Sequence, residues 1–389
     1  TDISISLSDD SLTLAQTTYQ DVSDDKNLKG KMAGCDNDMS QDFIGWEIAD
    51  EDLIECGQKL DEGELAVLDG QDKAHTLIQT WFNQIAVRVA AGEDNVYVTD
   101  EGLDLQQLVQ KFLLGAVTYS QAAEDYLKAT KGLVKQNTDP DNQADFDSGE
   151  DASLKGYTSL EHQWDEGFGY FGAAHDYLAY TDAENKANSA NDTDGDTQID
   201  LMKGEYSFGH SINAAKRDVG SDGATDFSTE AMAAFIAGRK LINDNIAADT
   251  ASDGADAVYY TDLVAYSETA LGAWEKAIAS TVVHYINDVI SETETLGTNE
   301  EANFADRAKH WSEMKGFALG LQFNPNALMT IEDFETVHTL FGDQPVLPTA
   351  SANDIAQYKT DLLSARAIFQ QSYSFADANI GDDNGANGW

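Results

Sequence analysis

The chain has 389 residues, of which 70 are acidic and 23 are basic, so its formal net charge at pH 7 is −47. A negative charge of this size repels nucleic-acid phosphates and anionic lipid surfaces, which excludes nucleic acid as a partner. It is typical of a surface adapted to a salty medium, and we therefore expect a marine or halotolerant bacterial source.

Residues 1–70 carry no sustained helical periodicity and form a predicted irregular N-terminal segment. They contain both cysteines of the chain, Cys35 and Cys56. A disulfide between them would pin the segment and indicate an oxidising compartment, and two free thiols are the alternative. The chain begins at Thr1 in a polar stretch, as expected after removal of a secretion signal, and no run of about 18 apolar residues would span a membrane. We therefore expect an exported protein without a transmembrane segment, either periplasmic or an outer-membrane lipoprotein.

Residues 71–376 show the three- and four-residue apolar spacing of amphipathic helices. The pattern is clearest in six stretches: 72–91, 105–116, 227–247, 259–290, 304–321 and 353–373. All four prolines fall between these stretches, as long helices require, and strand signals are scarce. The sequence therefore predicts an all-α fold of helical bundles with long acidic loops, built as one domain or as two packed bundles. Residues 377–389 are rich in Gly, Asn and Asp, and we expect a flexible C-terminal tail there.

An acidic loop that begins at residue 192 resembles the calcium-binding loop of EF-hands. Oxygen donors stand at loop positions one, three, five, seven and nine, which are Asp192, Asp194, Asp196, Gln198 and Asp200. Thr197 stands at position six, where glycine is usual, and Lys203 stands at position twelve, where a bidentate acid is usual. Glu205 would replace that acid in a distorted loop. The pattern predicts a bound calcium ion, and the alternative is a solvated turn rich in aspartate.

Two helical segments each place a histidine beside carboxylates. His162 precedes Asp165 and Glu166 by three and four residues, and His310 precedes Glu313 by three. Residues at this spacing share one face of a helix, and imidazole with carboxylate is a ligand set for zinc or non-haem iron. Because aromatic residues flank both histidines, we expect the two clusters to face inward and to share one transition-metal ion. The alternative for each histidine is a structural hydrogen bond or an ion pair.

Glu205 and His210 form a third polar cluster, five residues apart, and we expect them to line the same cavity as the two histidine clusters. Arg217, further along, offers a non-metal alternative, which is an ion pair with one of these carboxylates.

Three glycines within residues 167–172 match the spacing of a dinucleotide-binding loop. That loop needs a strand before it and a helix after it, whereas here an acidic helical run precedes the glycines. We interpret the glycines instead as positions where a neighbouring backbone or aromatic ring approaches closely.

The helical pattern, the expected export and the His-x-x-Glu element at His310 and Glu313 resemble the imelysin-like group of bacterial periplasmic and lipoprotein domains. That resemblance implies two helical bundles and a His-x-x-Glu element associated with metal binding and iron acquisition; peptidase activity has been proposed for some members. Ala308 stands where the usual motif has a glycine. More closely, the stretches 161–172, 199–218 and 311–325 resemble an uncharacterised bacterial domain family, over most of the chain beyond about Gln71.

Three functions are consistent with these features. The first is an exported metal-binding protein linked to the acquisition of iron or another metal at the cell surface. The second is a metal-dependent hydrolase or peptidase, in which the metal activates water and a carboxylate such as Glu166 acts as the base. The third is a calcium-stabilised helical surface module that binds a protein or a glycan. We favour binding over catalysis because the sequence contains no established hydrolase motif.

Overall fold

The computed structural model describes residues 28, 31–33, 43–48, 59–61, 64–66, 73–138, 156–247, 254–298 and 303–389. Two short strands, β1 (Lys59–Asp61) and β2 (Glu64–Ala66), pair as an antiparallel hairpin. The α-helices of the described residues are α1 (Lys73–Ala91), α2 (Leu105–Leu113), α3 (Ser159–Phe171), α4 (Asp182–Lys186), α5 (His210–Val219), α6 (Phe227–Asp244), α7 (Tyr260–Glu294), α8 (Phe304–Gly320), α9 (Ile331–Phe341), α10 (Ala352–Tyr373) and α11 (Asp377–Ile380). The predicted all-α fold is confirmed. In this part of the chain, no helix combines the length and the apolar character needed to cross a membrane.

The chain divides into two compact units. The first unit consists of Thr1–Ser120 and Ala279–Trp389, and the second consists of Gln121–Ile278. Helix α7 therefore contributes its N-terminal part to the second unit and its C-terminal part to the first. The region that we expected between residues 71 and 376 is thus split, and the long middle helix belongs to both units.

Local sequence sets where the helices begin. Helix α3 starts with a capping box, in which the Glu161 backbone N–H donates to the Thr158 hydroxyl at 3.1 Å and the Thr158 backbone N–H donates to the Glu161 carboxylate at 2.7 Å. Helix α9 starts at Thr330, whose hydroxyl accepts from the Asp333 N–H at 3.1 Å. Caps of this kind satisfy amides that have no partner inside the helix.

In the first unit, α2 packs against α8 through a contact between two glycines. The α2 helix continues as a π-helical segment, Leu114–Tyr119. A Cβ on Gly115 would lie 2.3 Å from the Cα of Gly320, so neither position accommodates a side chain without displacing the other backbone. The close approach lets the neighbouring aromatic side chains interlock.

Residues from the N-terminal segment take part in the aromatic core of the first unit. The ring centroid of Phe43 lies 5.8 Å from that of Phe112, and the ring of Trp46 lies 5.4 Å from that of Trp81. The predicted irregular segment 1–70 therefore does not form a separate part of the fold where it is described, because its aromatic residues bury their area in this core. Cys35 and Cys56, and with them the predicted disulfide, lie outside the described residues.

The predicted flexible C-terminal tail is wrong, because residues 377–389 are fixed to the first unit. Residues 377–380 form α11, and the indole of the terminal Trp389 is buried with its ring 4.7 Å from that of Phe375. The buried Asn287 side chain on α7 donates to the carbonyl oxygens of Ile380 and Trp389 at 2.9 and 3.3 Å. A tail rich in Gly, Asn and Asp is ordered here because an aromatic anchor and side-chain hydrogen bonds from α7 and α10 hold it.

The core of the second unit is also aromatic. The ring of Phe171 lies 5.3 Å from that of Trp274 and 5.6 Å from that of Phe235. The buried Trp164 indole donates to the Phe235 carbonyl at 2.9 Å, and a Cβ on Gly238 would meet its ring at 2.1 Å. This contact fixes the register of α3 against α6.

Candidate functional site

The cluster predicted around His162 lies on α3, in the second unit. The His162 Nε2 is 3.6 Å from the Glu166 carboxylate, both side chains are more than one-third exposed, and the imidazole stacks on Tyr157 at 5.4 Å. Asp165 has a different partner, because Arg239 of α6 donates to its carboxylate through Nε at 2.8 Å. The same guanidinium donates through Nη1 to the buried Glu161 at 2.7 Å. The predicted non-metal alternative, an ion pair to arginine, is therefore present for Asp165, with Arg239 in place of Arg217.

The cluster predicted around His310 lies on α8, in the first unit. His310 Nδ1 is 2.7 Å from the carboxylate of Glu292 on α7, and this hydrogen bond raises the pKa of the imidazole. Glu313 does not serve as its partner, because its carboxylate lies 3.2 Å from the ammonium of Lys111 on α2. Glu292 was not predicted as the partner of His310 because its side chain comes from another helix. A metal ion shared by His162 and His310 stays a prediction.

Glu205 and His210 have separate surroundings in the second unit. His210 begins α5, and its buried ring packs 5.1 Å from that of Trp274. Glu205 is fully buried and accepts hydrogen bonds within the acidic loop. Among the described residues, two groups of three or more potential metal ligands lie close enough to share an ion, and neither group contains a histidine.

The first of these groups, Asp182, Asp218 and Asp226, lies at the start of α6. The buried Asp218 carboxylate accepts from the N–H groups of Phe227 and Ser228 at 2.9 and 2.8 Å, and Asp182 accepts from the Ser228 hydroxyl at 2.6 Å. Burial raises the pKa of Asp218. The N-terminus of a helix attracts carboxylates through its free N–H groups and its dipole, so the cluster has a structural explanation.

In the first half of the acidic loop, the backbone turns around the Asp192 carboxylate. The Asp192 carboxylate accepts from the backbone N–H groups of Gly195, Asp196 and Thr197 at 2.6 to 3.1 Å. Thr197 has a φ of 69°, the left-handed conformation that the usual glycine adopts at position six. Threonine rarely takes this conformation, so the turn overrides the preference of the residue.

The second half of the loop departs from an EF-hand. Glu205 supplies the closing acid that we expected in a distorted loop, and one of its oxygens lies within 4.8 Å of oxygens of Asp192 and Asp194. Its carboxylate also accepts from the Thr193 hydroxyl at 2.7 Å and from the Asp200 N–H at 3.0 Å, and the first of these bonds contributes most to lowering its pKa.

A lysine lies where the loop would hold a cation. The Lys203 ammonium donates to Asp194 at 2.6 Å and to Asp196 at 2.7 Å, and it lies 4.0 Å from Asp200. Its hydrogen bond lowers the pKa of Asp196. Gln198, the remaining predicted ligand, donates its backbone N–H to Asp196 at 2.9 Å. An entering calcium ion would therefore have to displace the ammonium from two of its predicted ligands.

A cleft of about 800 Å³ lies within the second unit, between α3, α6 and the segment 201–208. One wall is the face of α3 formed by Trp164, Asp165, Phe168, Gly169 and Gly172, which recur at the spacing of one helix face. The glycines of residues 167–172 divide their roles. A Cβ on Gly172 would lie 2.4 Å from the Phe208 carbonyl, as expected of a glycine approached by a backbone, whereas one on Gly167 would lie 2.7 Å from the aliphatic side chain of Leu127. Gly169, in contrast, faces open space in the cleft.

The second wall is a continuous face of α6. It consists of Met232, Phe235, Ile236, Arg239, Lys240 and Asn243. Helices α3 and α6 run in opposite directions, since Glu161 in the first turn of α3 and Asp165 in its middle meet Arg239, while Phe168, further along α3, meets Phe235 at a ring distance of 5.5 Å. The side chains of α6 thus change from apolar to polar along the cleft.

The third wall is the segment that follows the acidic loop, with Leu201, Gly204, Tyr206 and Phe208. Gly204 lies against the His175 ring, where a Cβ would come within 2.6 Å of the imidazole. The Gly204 carbonyl also accepts from the backbone N–H of His175 at 2.8 Å. The acidic loop and the cleft therefore share this segment of chain. No pattern in the sequence predicted this cleft, because its three walls come from separate segments of the chain.

The fold and this site define an all-α protein with a ligand-sized cleft in its second unit. Residues 21–205 match the model of a family described as a domain of unknown function, DUF4856. This match agrees with the expected resemblance to an uncharacterised family, but it begins before Gln71 and ends before the stretch 311–325. The imelysin-like resemblance is not confirmed by it. No curated protein and no solved structure matches the chain.

Proposed function

We propose that this protein is a binding protein that takes a small amphipathic molecule into the cleft of the second unit. The volume and the lining of the cleft support this proposal. Its volume of about 800 Å³ falls in the range typical of ligand pockets, and its lining is mainly apolar and aromatic with a few polar groups, as such pockets are.

The state of its apolar side chains supports the same proposal. Leu201, Phe208 and Ile236 all line the cleft and are 55%, 40% and 48% exposed. Apolar area left in water costs roughly 25 cal/mol per Å², and contiguous patches of it mark binding sites. On a chain with 70 acidic residues, a cluster of large exposed apolar side chains within one concavity favours an apolar ligand part that covers them.

This proposal develops the third predicted function, a helical binding module, with a small molecule in place of a protein or a glycan. A metal carrier or a metal-dependent hydrolase would need the histidine clusters. Two of their expected ligands, Asp165 and Glu313, are paired with Arg239 and Lys111. Iron or zinc binding, export and a cell-surface partner stay predictions.

We propose calcium at the acidic loop as a second, structural function. The left-handed turn at Thr197 favours it, because EF-hand loops make their sharp turn at this position, and so do the oxygens of Asp192, Asp194 and Glu205 that lie within 4.8 Å of one another. The Lys203 ammonium competes with calcium for Asp194 and Asp196, so the site can be tested by replacing Lys203.

Gly169 gives a direct test of the cleft. Because its Cβ position meets nothing within 4 Å, Gly169→Phe directs a ring into the cleft without a clash at Cβ, and it removes a glycine from a helix. Gly272→Phe is the matched control, since Gly272 lies inside α7 with equally open space and does not line the cleft.

The probe is N-phenyl-1-naphthylamine, a neutral fluorophore that brightens in apolar surroundings. We expect it to bind the wild type and Gly272→Phe alike, and to bind Gly169→Phe at least about tenfold more weakly, a loss of about 1.4 kcal/mol in binding free energy. Absence of binding to the wild type, or equal binding to all three proteins, would refute the proposal.

A further inference from the structure

The cleft has two chemically different ends. Because α3 and α6 are antiparallel, the first half of α3 meets the second half of α6 at one end of the cleft, where Asp165, Arg239, Lys240 and Asn243 lie. The other end is apolar and includes Phe208 and Met232. From residue 232 to residue 243, α6 rises about 16 Å at 1.5 Å per residue, which is the approximate length of the cleft along this wall.

The charges at the polar end are already paired. Arg239 holds Asp165 at 2.8 Å and Glu161 at 2.7 Å, and Lys240 pairs with Asp244 one turn along α6. Two cations therefore face three carboxylates. An anionic ligand would approach these carboxylates, and a cationic ligand would approach the guanidinium and the ammonium.

A charged ligand group would have to break one of these pairs or be repelled by the partner of the group that it contacts. An anion would also meet the field of a chain with a net charge of −47. A neutral group with hydroxyl or amide functions meets neither cost. It can accept from Lys240 and exchange hydrogen bonds with the Asn243 amide, which is both a donor and an acceptor.

We infer that the cleft selects a neutral-headed amphiphile, a molecule with an aliphatic or aromatic body at the Phe208 and Met232 end and an uncharged hydroxyl or amide group at the Arg239 and Lys240 end. This inference rests on the proposed function and specifies its ligand class. A whole molecule that extends along about 16 Å of α6 corresponds to a medium-length alkyl chain with one polar ring as its head group.

The test uses three probes with one octyl chain and different head groups, each below its critical micelle concentration. They are n-octyl β-D-glucoside, which is neutral, octanoate, which is anionic, and octyltrimethylammonium, which is cationic. Binding to the full chain is measured by isothermal titration calorimetry for the wild type, Gly169→Phe and Gly272→Phe.

We expect the glucoside to bind the wild type at least about tenfold more tightly than either charged probe, with this binding lost in Gly169→Phe and kept in Gly272→Phe. Arg239→Gln leaves Asp165 and Glu161 without their cation, so it should raise the affinity for the cationic probe at least about threefold while the anionic probe gains nothing.

The outcomes separate the two proposals. If octanoate or the ammonium probe binds the wild type as tightly as the glucoside and Gly169→Phe abolishes that binding, the head-group inference is wrong and the cleft proposal stands. If no probe binds the wild type, the proposed function fails and the inference fails with it. An unchanged preference in Arg239→Gln contradicts the role assigned to the paired charges.

Discussion

Lys315 is a buried cation in the first unit, and its burial predicts an unusual dependence of stability on pH. The side chain, on α8, is fully buried, its ammonium donates to the Gly342 carbonyl at 2.8 Å, and it lies 5.5 Å from the ring centroid of Trp46. The Asp343 carboxylate is 3.7 Å away but half exposed. Burial lowers the pKa of Lys315 from 10.5 to about 8, and Asp343 acts in the opposite direction.

The size of this effect follows from the two pKa values. One pKa unit corresponds to 1.36 kcal/mol, so a fall from 10.5 to about 8 disfavours the charged form in the folded state by about 3 kcal/mol. Below pH 8, Lys315 is protonated in the folded and unfolded chains alike, and this cost is fully present. Between pH 8 and 10.5 the unfolded chain holds a proton that the folded chain has released, so the contribution of Lys315 to stability improves as the pH rises.

The neighbouring imidazole does not interfere in this window. His338 is buried, and its pKa is lowered well below 6.5, first by burial and then by Lys315. It is therefore neutral in both states above pH 8, and its own effect is confined to acid. Below pH 6.5, His338 binds a proton in the unfolded chain and stays unprotonated in the folded chain, so stability falls as the pH falls.

The perturbation is Lys315→Met, which keeps the length of the side chain and removes the titrating group. Urea unfolding followed by circular dichroism gives the free energy of unfolding of both proteins from pH 7 to 10.5. We expect the difference between them to shift by about 3 kcal/mol in favour of the wild type as the pH rises from 8 to 10.5. Lys240→Met, at an exposed lysine, controls for the loss of a charge. A difference that stays constant across the window would refute the argument that Lys315 is desolvated.

Three further predictions follow from contacts within single units. Gly238→Ala places a Cβ about 2 Å from the Trp164 ring, so urea unfolding should show a loss of at least about 1 to 3 kcal/mol; a neutral effect would contradict this packing. Asn287→Ala removes the donor to two carbonyls of the C-terminal segment and should cost about 1 to 3 kcal/mol, with faster amide exchange in residues 377–389; unchanged exchange would show that the anchor lies elsewhere. Lys203→Gln frees two aspartates of the acidic loop, so calcium should raise the melting temperature of this variant more than that of the wild type; no calcium effect in either protein would exclude the loop as a calcium site.

Periodicity was sufficient to predict six of the helices, α1, α2, α6, α7, α8 and α10, because each of them buries one stripe and a stripe is a local pattern. The start of α9 at Thr330 was equally local, since one hydroxyl caps one N–H three residues later. The C-terminal segment was not predictable in this way. Its composition is that of a loop, and the side chains that hold it belong to other helices, among them Asn287 of α7, about ninety residues earlier in the sequence.

The histidine clusters show why spacing on one helix is insufficient to assign a partner. His310 and Glu313 share the spacing of one helix face, yet each pairs with a group from another helix. The His310 imidazole pairs with Glu292, and the Glu313 carboxylate pairs with Lys111. An interhelical partner at 2.7 Å outweighs an intrahelical neighbour when the side chains point toward the packed surface. The acidic loop was more predictable because all of its donors lie within fourteen residues, from Asp192 to Glu205.

The cleft leaves a trace in the sequence that can be understood only with the structure. The apolar stripe of α6 includes Phe235 and Ile236, two consecutive residues, and two consecutive helical positions differ by about 100° in direction. Phe235 fills the core against Trp164, whereas Ile236 remains 48% exposed. When an apolar stripe is wider than the contact with the core requires, the extra apolar residues indicate either a second packing partner or a ligand. In the second unit the space beside Ile236 is the cleft itself, so the exposed Ile236 side chain is available to a bound molecule. Ile236→Ser should therefore weaken binding of the neutral probe n-octyl β-D-glucoside while sparing the aromatic core.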